Sequence, residues 1–376
     1  MKLKDFAIIN MGQSPKGETY NTEHKGMPFL QGRKTFGKLY PAIDTWTISP
    51  IKIAKNGEIL MSVRAPVGDL NFANQDICIG RGLCSISAKN GRNKYLYYVL
   101  LNNMEKIKQN STGTVFSAIN KNDLENLEID FHSTKTQRKI EKILYDIDSK
   151  IELNNEINNN LYELALNYLN EKVEVTEVPV SKFAKIQGGY AFKSKDFINT
   201  YTKNRIIKIK NLQSKLNTDV INSQFVEDDV VKKLDTKFRL NKGDVVIAMT
   251  GAELGKTGFI YGNDNYYLNQ RVGVVRGNTN ESTLYLNVLF LSDEFQVLLN
   301  SKGYGSAQPN VSSNNIENIL INDMTENNLK EFYKEIEPIY EKIISNSEEI
   351  CNLSKLRDTL LPKLMNGEID LDNIEI

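Results

Sequence analysis

The chain has 376 residues, with 47 basic and 47 acidic side chains, 40% hydrophobic residues and three cysteines. That length exceeds one compact domain, and the ordinary apolar content excludes a wholly disordered chain. Cys78, Cys84 and Cys351 form no CxxC pair, no apolar run approaches a membrane span of roughly 18 residues, and no apolar stretch follows Met1-Lys2-Leu3-Lys4-Asp5, so the expected location is cytoplasmic.

The neutral total conceals alternating blocks. Residues 1–134 hold 17 basic and 12 acidic side chains, and 181–322 hold 18 and 13, whereas 135–180 hold 6 and 9 and 323–376 hold 6 and 13. Two mildly basic segments followed by acidic ones allow a polyanionic partner despite the neutral sum, because contact depends on local charge.

The chain opens on Leu3-Lys4-Asp5-Phe6-Ala7-Ile8-Ile9 ending in Gly12, and the pattern returns as Val180-Ser181-Lys182-Phe183-Ala184-Lys185-Ile186 ending in Gly189. Lys55-Asn56-Gly57-Glu58-Ile59-Leu60-Met61 is answered by Asn241-Lys242-Gly243-Asp244-Val245-Val246-Ile247, and Leu124-Glu125-Asn126-Leu127 by Ile316-Glu317-Asn318-Ile319. Ordered landmarks with drifting offsets indicate one domain present twice. Each copy reads as strands preceded by turn glycines, with helical spacing over Tyr95 to Ile107 and Leu284 to Leu299. The expected class is α+β, internally duplicated, with two globular domains separated by an antiparallel coiled coil of two long helices.

The domains are expected at 1–134 and 178–323, a central helix at 135–177, a C-terminal helix at 324–367 and an acidic tail at 368–376. The central seam runs Ile140, Leu144, Ile147, Ile151, Leu161, Ala165, Tyr168, interrupted by Asn154 and Asn158. The C-terminal seam runs Phe332, Ile336, Ile339, Ile343, Ile350, Leu353, Leu360, Leu364. Alternating steps of three and four are a coiled-coil pattern, and the simplest way to bury both stripes is against each other. Pro338 inside the second stripe predicts a kink or a break.

Gly251-Ala252-Glu253-Leu254-Gly255-Lys256-Thr257 lacks one of the four residues a P-loop needs between its first Gly and Gly-Lys-Thr, so it reads as a tight turn. His24 and His132 have no partner at metal-ligand spacing, and no residues converge on catalysis. What stands out is a set of loop side chains suited to DNA. In the first copy these are Gln31, Arg33, Lys34, Lys38, Arg64, Arg81, Ser111 and Thr112; in the second, Lys193, Lys195, Lys208, Lys210, Asn211, Lys256, Asn269, Gln270, Arg271, Tyr304, Ser306 and Gln308. Arg, Asn and Gln can bond two atoms of a base edge, whereas Lys and hydroxyls more often hold phosphate. Gln31 could equally cap a turn, and Arg81 and Arg271 are expected at matched places in the repeat.

Taken in order, several segments resemble the specificity subunit of type I restriction–modification systems. These are Asn56 to Ser62 with Ala65-Pro66-Val67-Gly68, Lys242 to Lys256, Tyr267 to Gly273, the closing segments Ile119 to Ile129 and Gln308 to Ile321, Gln137-Arg138-Lys139-Ile140, and Leu356 to Leu364. The resemblance covers essentially the whole chain. It implies two target recognition domains, each reading half of a split double-stranded DNA site, with helices that space them and dock two modification (methyltransferase) subunits. Restriction/translocase subunits would complete the nuclease. The subunit itself would be non-catalytic and bind no cofactor, S-adenosylmethionine belonging to the methyltransferase and ATP and Mg to the restriction subunit. A solitary methyltransferase would need its own Asn/Asp-Pro-Pro-aromatic stretch, and the nine prolines include no Pro-Pro pair. The other reading is a coiled-coil scaffold whose domains bind protein or carbohydrate.

Overall fold

A computed structural model describes residues 1–110, 118–303 and 310–371. It consists of two compact units, Met1–Glu152 together with the segment from Leu353 onward, and Leu153–Asn352.

The first unit contains strands β1 (Ala7–Met11), β2 (Tyr20–Asn21), β3 (Met27–Leu30), β4 (Trp46–Thr47), β5 (Ile53–Ala54), β6 (Ile59–Ser62), β7 (Leu70–Phe72), β8 (Ile77–Ile79) and β9 (Leu83–Ala88). They form a four-stranded sheet, β1-β9-β6-β7, and a five-stranded sheet, β2-β4-β3-β8-β5. Helices α1 (Leu3–Phe6), α2 (Asn93–Asn102), α3 (Met104–Gln109) and α4 (Lys121–Glu125) accompany them.

The second unit adds β10 (Glu177–Pro179), β11 (Ala184–Gly188), β12 (Phe197–Ile198), β13 (Asn204–Ile207), β14 (Leu212–Ser214), β15 (Asn217–Thr218), β16 (Gln224–Val226), β17 (Arg239–Leu240), β18 (Val245–Ala248), β19 (Thr257–Phe259), β20 (Asn265–Leu268), β21 (Val272–Gly277) and β22 (Leu320–Asn322). Its sheets run β11-β21-β18-β19 and β12-β16-β13-β20-β17, so both orders repeat those of the first unit. Strand directions repeat too, since β3 pairs parallel with β8 and β13 parallel with β20, each inside an otherwise antiparallel sheet. A shared order with one parallel pair in the same place is a stronger sign of duplication than the sequence landmarks. Gly57 and Gly243 explain one landmark: both hold positive φ, 81° and 82°, in the turns that lead into β6 and β18.

The helix expected over Tyr95 to Ile107 is two helices, α2 and α3, parted at Asn103. Its counterpart over Leu284 to Leu299 is likewise two, α7 (Asn280–Phe290) and α8 (Asp293–Gly303); the short α6 (Asp228–Val231) and α9 (Ser313–Glu317) complete the second unit. In the first unit the four-stranded sheet, α2 and parts of the long helices share one core that includes Met61, Ile86, Tyr98, Ile140, Leu144 and Leu364. In the second, the corresponding core includes Ile247, Val274, Tyr285, Ala165, Phe332 and Ile343.

The long helices are α5 (Thr134–Lys172, 39 residues) and α10 (Glu326–Met365, 40 residues). Within each unit they pair antiparallel. In the first, Arg357 reaches Asp148 (2.8 Å) and Lys139 Nζ donates to the Leu371 carbonyl (2.6 Å). In the second, Asn158 meets Ser347 (3.0 Å) and Lys172 meets Glu331 (2.7 Å).

Three sequence expectations change here. α10 continues unbroken through Pro338. That residue lies on the exposed face, so the hydrogen bond it cannot donate frees a carbonyl on the solvent side. In α5 the buried positions after Ile151 are Asn154, Asn158, Tyr162, Ala165 and Leu169, so Leu161 and Tyr168 flank the seam half-buried. In α10 the same one-residue shift buries Tyr340 beside half-buried Ile339 and Leu361 beside half-buried Leu360; Leu353 is also half-buried. A helix turning 3.6 residues per turn drifts across a strict seven-residue pattern, which favours the neighbouring position.

Candidate nucleic-acid interface

Each unit gathers the same segments at one end of its sheets, where β1, β3 and β6 finish and β8 turns into β9. In the first unit Gly12 N–H donates to the Leu83 carbonyl (2.9 Å) and Gln13 N–H to that of Ile79 (2.9 Å). Gly80 N–H donates to Leu30 O (2.8 Å), Val63 N–H to Gly82 O (2.9 Å), and Ile119 N–H to Val63 O (3.0 Å). The second unit repeats these bonds with Gly189 to Val272 (3.1 Å), Tyr190 to Leu268 (2.9 Å), Asn269 to Ile207 (3.2 Å), Met249 to Arg271 (3.0 Å) and Val311 to Met249 (3.0 Å).

A close backbone crossing explains the glycine at the end of β1 and β11. A Cβ on Gly12 would stand 2.2 Å from the Gly80 carbonyl oxygen, and one on Gly189 would stand 2.2 Å from that of Asn269. No side chain fits there, so the next residue, Gln13 or Tyr190, is set against the following turn in both copies.

This register corrects one sequence match. Gly80 corresponds to Asn269, so Arg81 corresponds to Gln270 and Gly82 to Arg271; the two arginines are one residue out of step. Arg81, Gln270 and Arg271 are all exposed. Gln31 follows β3 and accepts a bond from Ser14 Oγ (2.9 Å), whose oxygen receives Arg81 N–H (3.1 Å), so it is Ser14 that meets the turn backbone, with Gln31 behind it. Arg64, exposed, bridges backbone to Ala118 beside Val63. Arg33 and Lys34 lie in the turn after Gln31, with Arg33 ion-paired to Asp69.

In the second unit Lys208 follows β13. Its ammonium sits 3.5 Å from the centre of the Phe197 ring and bonds Gln224; burial, and then Lys210, lower its pKa. Lys210 is exposed in the next turn. Lys193 and Lys195 are exposed on the loop leaving Tyr190. Lys256 belongs to the β18–β19 hairpin turn and pairs with Glu253 (2.7 Å); no phosphate-capping helix follows, because the chain runs into β19. Asn269 is half-buried in the cluster.

Two sequence candidates are placed elsewhere. Asn211 is 1% exposed, its amide donating to Asp219 O (3.0 Å) and its oxygen accepting from Lys208 N–H (3.0 Å), so it holds the turn and offers no group outward. Lys38 is exposed; desolvation lowers its pKa, and the charges that act on it are those of Glu152, Arg357 and Asp148 on the long helices. Ser111, Thr112, Tyr304, Ser306 and Gln308 lie outside the described residues. Gln13, Ser14 and Tyr190 were missed. The signal that could have found them is their place one or two residues after glycines that recur in both copies.

The paired loop ends on duplicated sheets agree with the comparisons. The family described as "Type I restriction modification DNA specificity domain" matches twice, over residues 1–163 and 172–322. The chain belongs to that family. As a specificity subunit it is the DNA-recognition component of such a system and is not its catalyst. It is 44% identical over 152 residues to the putative type I restriction enzyme MjaX specificity subunit of Methanocaldococcus jannaschii, a match covering 40% of this chain and 36% of that protein. Against the MjaIX specificity subunit of the same organism it is 25% identical over 354 residues, covering 86% of this chain and 80% of the other. The crystal structure of the type I restriction–modification S subunit from M. genitalium shares the fold, with TM-score 0.59 and 16% identity, over 97% of this chain and 95% of that one. Among the described residues, no helix is long and apolar enough to cross a membrane.

Proposed function

We propose that this specificity subunit reads a bipartite double-stranded DNA target, one short word through the loop cluster of each unit. In this reading it directs adenine methylation by two modification subunits and restriction by translocase subunits. The carrying observation is that two scaffolds with matching ladder hydrogen bonds carry different side chains: Gln13 against Tyr190, Gln31 against Lys208, Arg81 against Gln270, Gly82 against Arg271. A repeat that only had to grip phosphate would have no need to differ there; one that reads two words must. S-adenosylmethionine would be held by the methyltransferase, and ATP and Mg by the restriction subunit. The cytoplasm is the compartment where such a complex would meet DNA. A scaffold binding protein or carbohydrate has no specific observation in its favour.

Each of α5 and α10 runs from one unit into the other, so their length is a natural ruler for the unread gap. The test is co-expression with modification subunits followed by mapping of methylated adenines. Two defined words at a fixed spacing are expected. One extra heptad in each helix, after Glu152 and after Asn352, adds about 10 Å of helix and should widen the gap by about three base pairs. Methylation without two words, or an unchanged gap in a folded and active variant, would refute the corresponding part.

A further inference from the structure

The residue after the close-packed glycine has the most defined place in each cluster. Tyr190 sends its N–H to Leu268 O (2.9 Å) and takes Gln270 N–H on its own carbonyl (2.9 Å), so it is fastened on both sides to the turn that carries Gln270 and Arg271. The residue is 37% exposed, and its ring is met edge-on by Phe192 at 5.0 Å and Phe238 at 5.6 Å. An exposed aromatic fixed in this way has little rotamer freedom left to lose on binding. In the first unit Gln13 occupies the same place, fastened to Ile79 and exposed. The glycine and the N–H bond to the facing strand are preserved between the copies, while the turn N–H goes to Ser14 Oγ in one and to the Tyr190 carbonyl in the other, and the side chain changes from a two-ended amide to an aromatic ring.

Resting on the DNA reading above, we propose that Gln13 and Tyr190 are specificity-determining residues, each contacting a base of the word read by its own unit. The amide of Gln13 suits the donor–acceptor edge of an adenine, which offers N6 and N7 together. The Tyr190 ring suits apolar contact with a base, and its hydroxyl adds one hydrogen bond. Both stand beside exposed groups suited to edges or phosphate, Arg81 in one unit and Gln270 with Arg271 in the other. Conservation of the fastening with divergence of the side chain is the pattern a reading position requires. A position that served only folding would keep the side chain, and one that served only phosphate would keep the charge.

The test uses the subunit assembled with its modification subunits, presented with a pool of randomised duplexes, and the bound sequences are read out with no dependence on methyl transfer. Gln13→Ala should relax choice by roughly tenfold at one position of one word and leave the other word intact. Tyr190→Gln should change preference at one position of the second word only. Tyr190→Phe keeps the packing on Phe192 and Phe238, so it should retain the second word, with at most a weakened preference at that same position. Equal losses on every sequence, or two unaltered words with Tyr190→Gln and Gln13→Ala, would overturn the inference while leaving the bipartite reading standing. If the unmodified complex selects no sequence, the bipartite reading falls and this assignment with it.

Discussion

The two units solve one problem, holding α5 against α10, with different chemistry. In the first unit the contact is charged. Asp148 is 3% exposed and receives Arg357 Nη1 (2.8 Å) and the Tyr98 hydroxyl (2.6 Å); burial works against the Arg357 charge, but Asp148 and Asp358 outweigh it and hold the guanidinium more firmly protonated than usual. In the second unit the buried part of the contact is neutral, and the Lys172–Glu331 pair lies toward its exposed end. Asn158 donates to Ser347 Oγ (3.0 Å) and accepts from Asn346 Nδ2 (2.9 Å), with Asn154 donating to Glu349 (2.8 Å) at the margin. Both devices put polar groups where a seam would ordinarily be apolar, which fixes register because any slip leaves them unpaired. They differ in what a single lesion costs. A part-buried charge that loses its buried partner is worse solvated than an amide that does, even with Asp358 still beside Arg357, so the first unit's lock is the more brittle.

The largest effect expected follows from that difference. Asp148→Ala takes from Arg357 its buried partner, leaving it only Asp358 (2.8 Å), and leaves the Tyr98 hydroxyl unpaired, so it should destabilise the first unit by about 2–3 kcal/mol, measured by denaturant unfolding. The joint change Asp148→Leu with Arg357→Met should recover most of that loss. A double variant as unstable as the single one would show that Tyr98 or packing, and not the orphaned charge, sets the cost. Next comes Asn158→Leu, which removes partners from Ser347 and Asn346 and should cost about 1–2 kcal/mol. Since only neutral groups are lost, this deficit should be the same at pH 5.5 and pH 8. A strongly pH-dependent deficit would mean that Glu349 is part of the lock and would erase the contrast.

The smallest effect concerns acid. Burial lowers the pKa of His132 in the first unit below its ordinary 6.5, and Tyr95 Oη lies 2.9 Å from its Nδ1. The unfolded chain therefore takes up the proton first as pH falls. Stability from the neutral ring is complete above about 6.5 and is lost as pH drops from there through the depressed folded value. Unfolding of the first unit should show a modest acid sensitivity in that window that His132→Gln removes. An identical pH profile for the variant would place the sensitivity on other groups.

The amino-acid sequence by itself determined the duplication, the α+β class, the two long helices and the kind of side chain set out on the loops. These follow from short-range causes: turn glycines with positive φ, apolar periods of two or three-and-four, and the order in which they recur. It also supplied the family, because the recurring segments are short and ordered. Only the tertiary structure decided which side chains stand together. Asn211 looks like Lys210 from one residue away, but a turn faces it inward. Lys38 follows Arg33 and Lys34 in the chain, yet the charges that act on it are those of the long helices. Arg81 and Arg271 look matched until the ladder registers put Arg81 opposite Gln270. Pro338 reads as a kink or a break, yet the helix continues through it, on a face where its missing bond meets solvent. Each outcome depends on long-range packing, in which one residue of register moves a side chain to another face, and no local propensity encodes that choice. The same reason hid Gln13 and Tyr190. Their role is set by a backbone crossing between β1 and the β8–β9 turn, or between β11 and the β20–β21 turn, two segments about 70 to 80 residues apart that meet only in the folded chain.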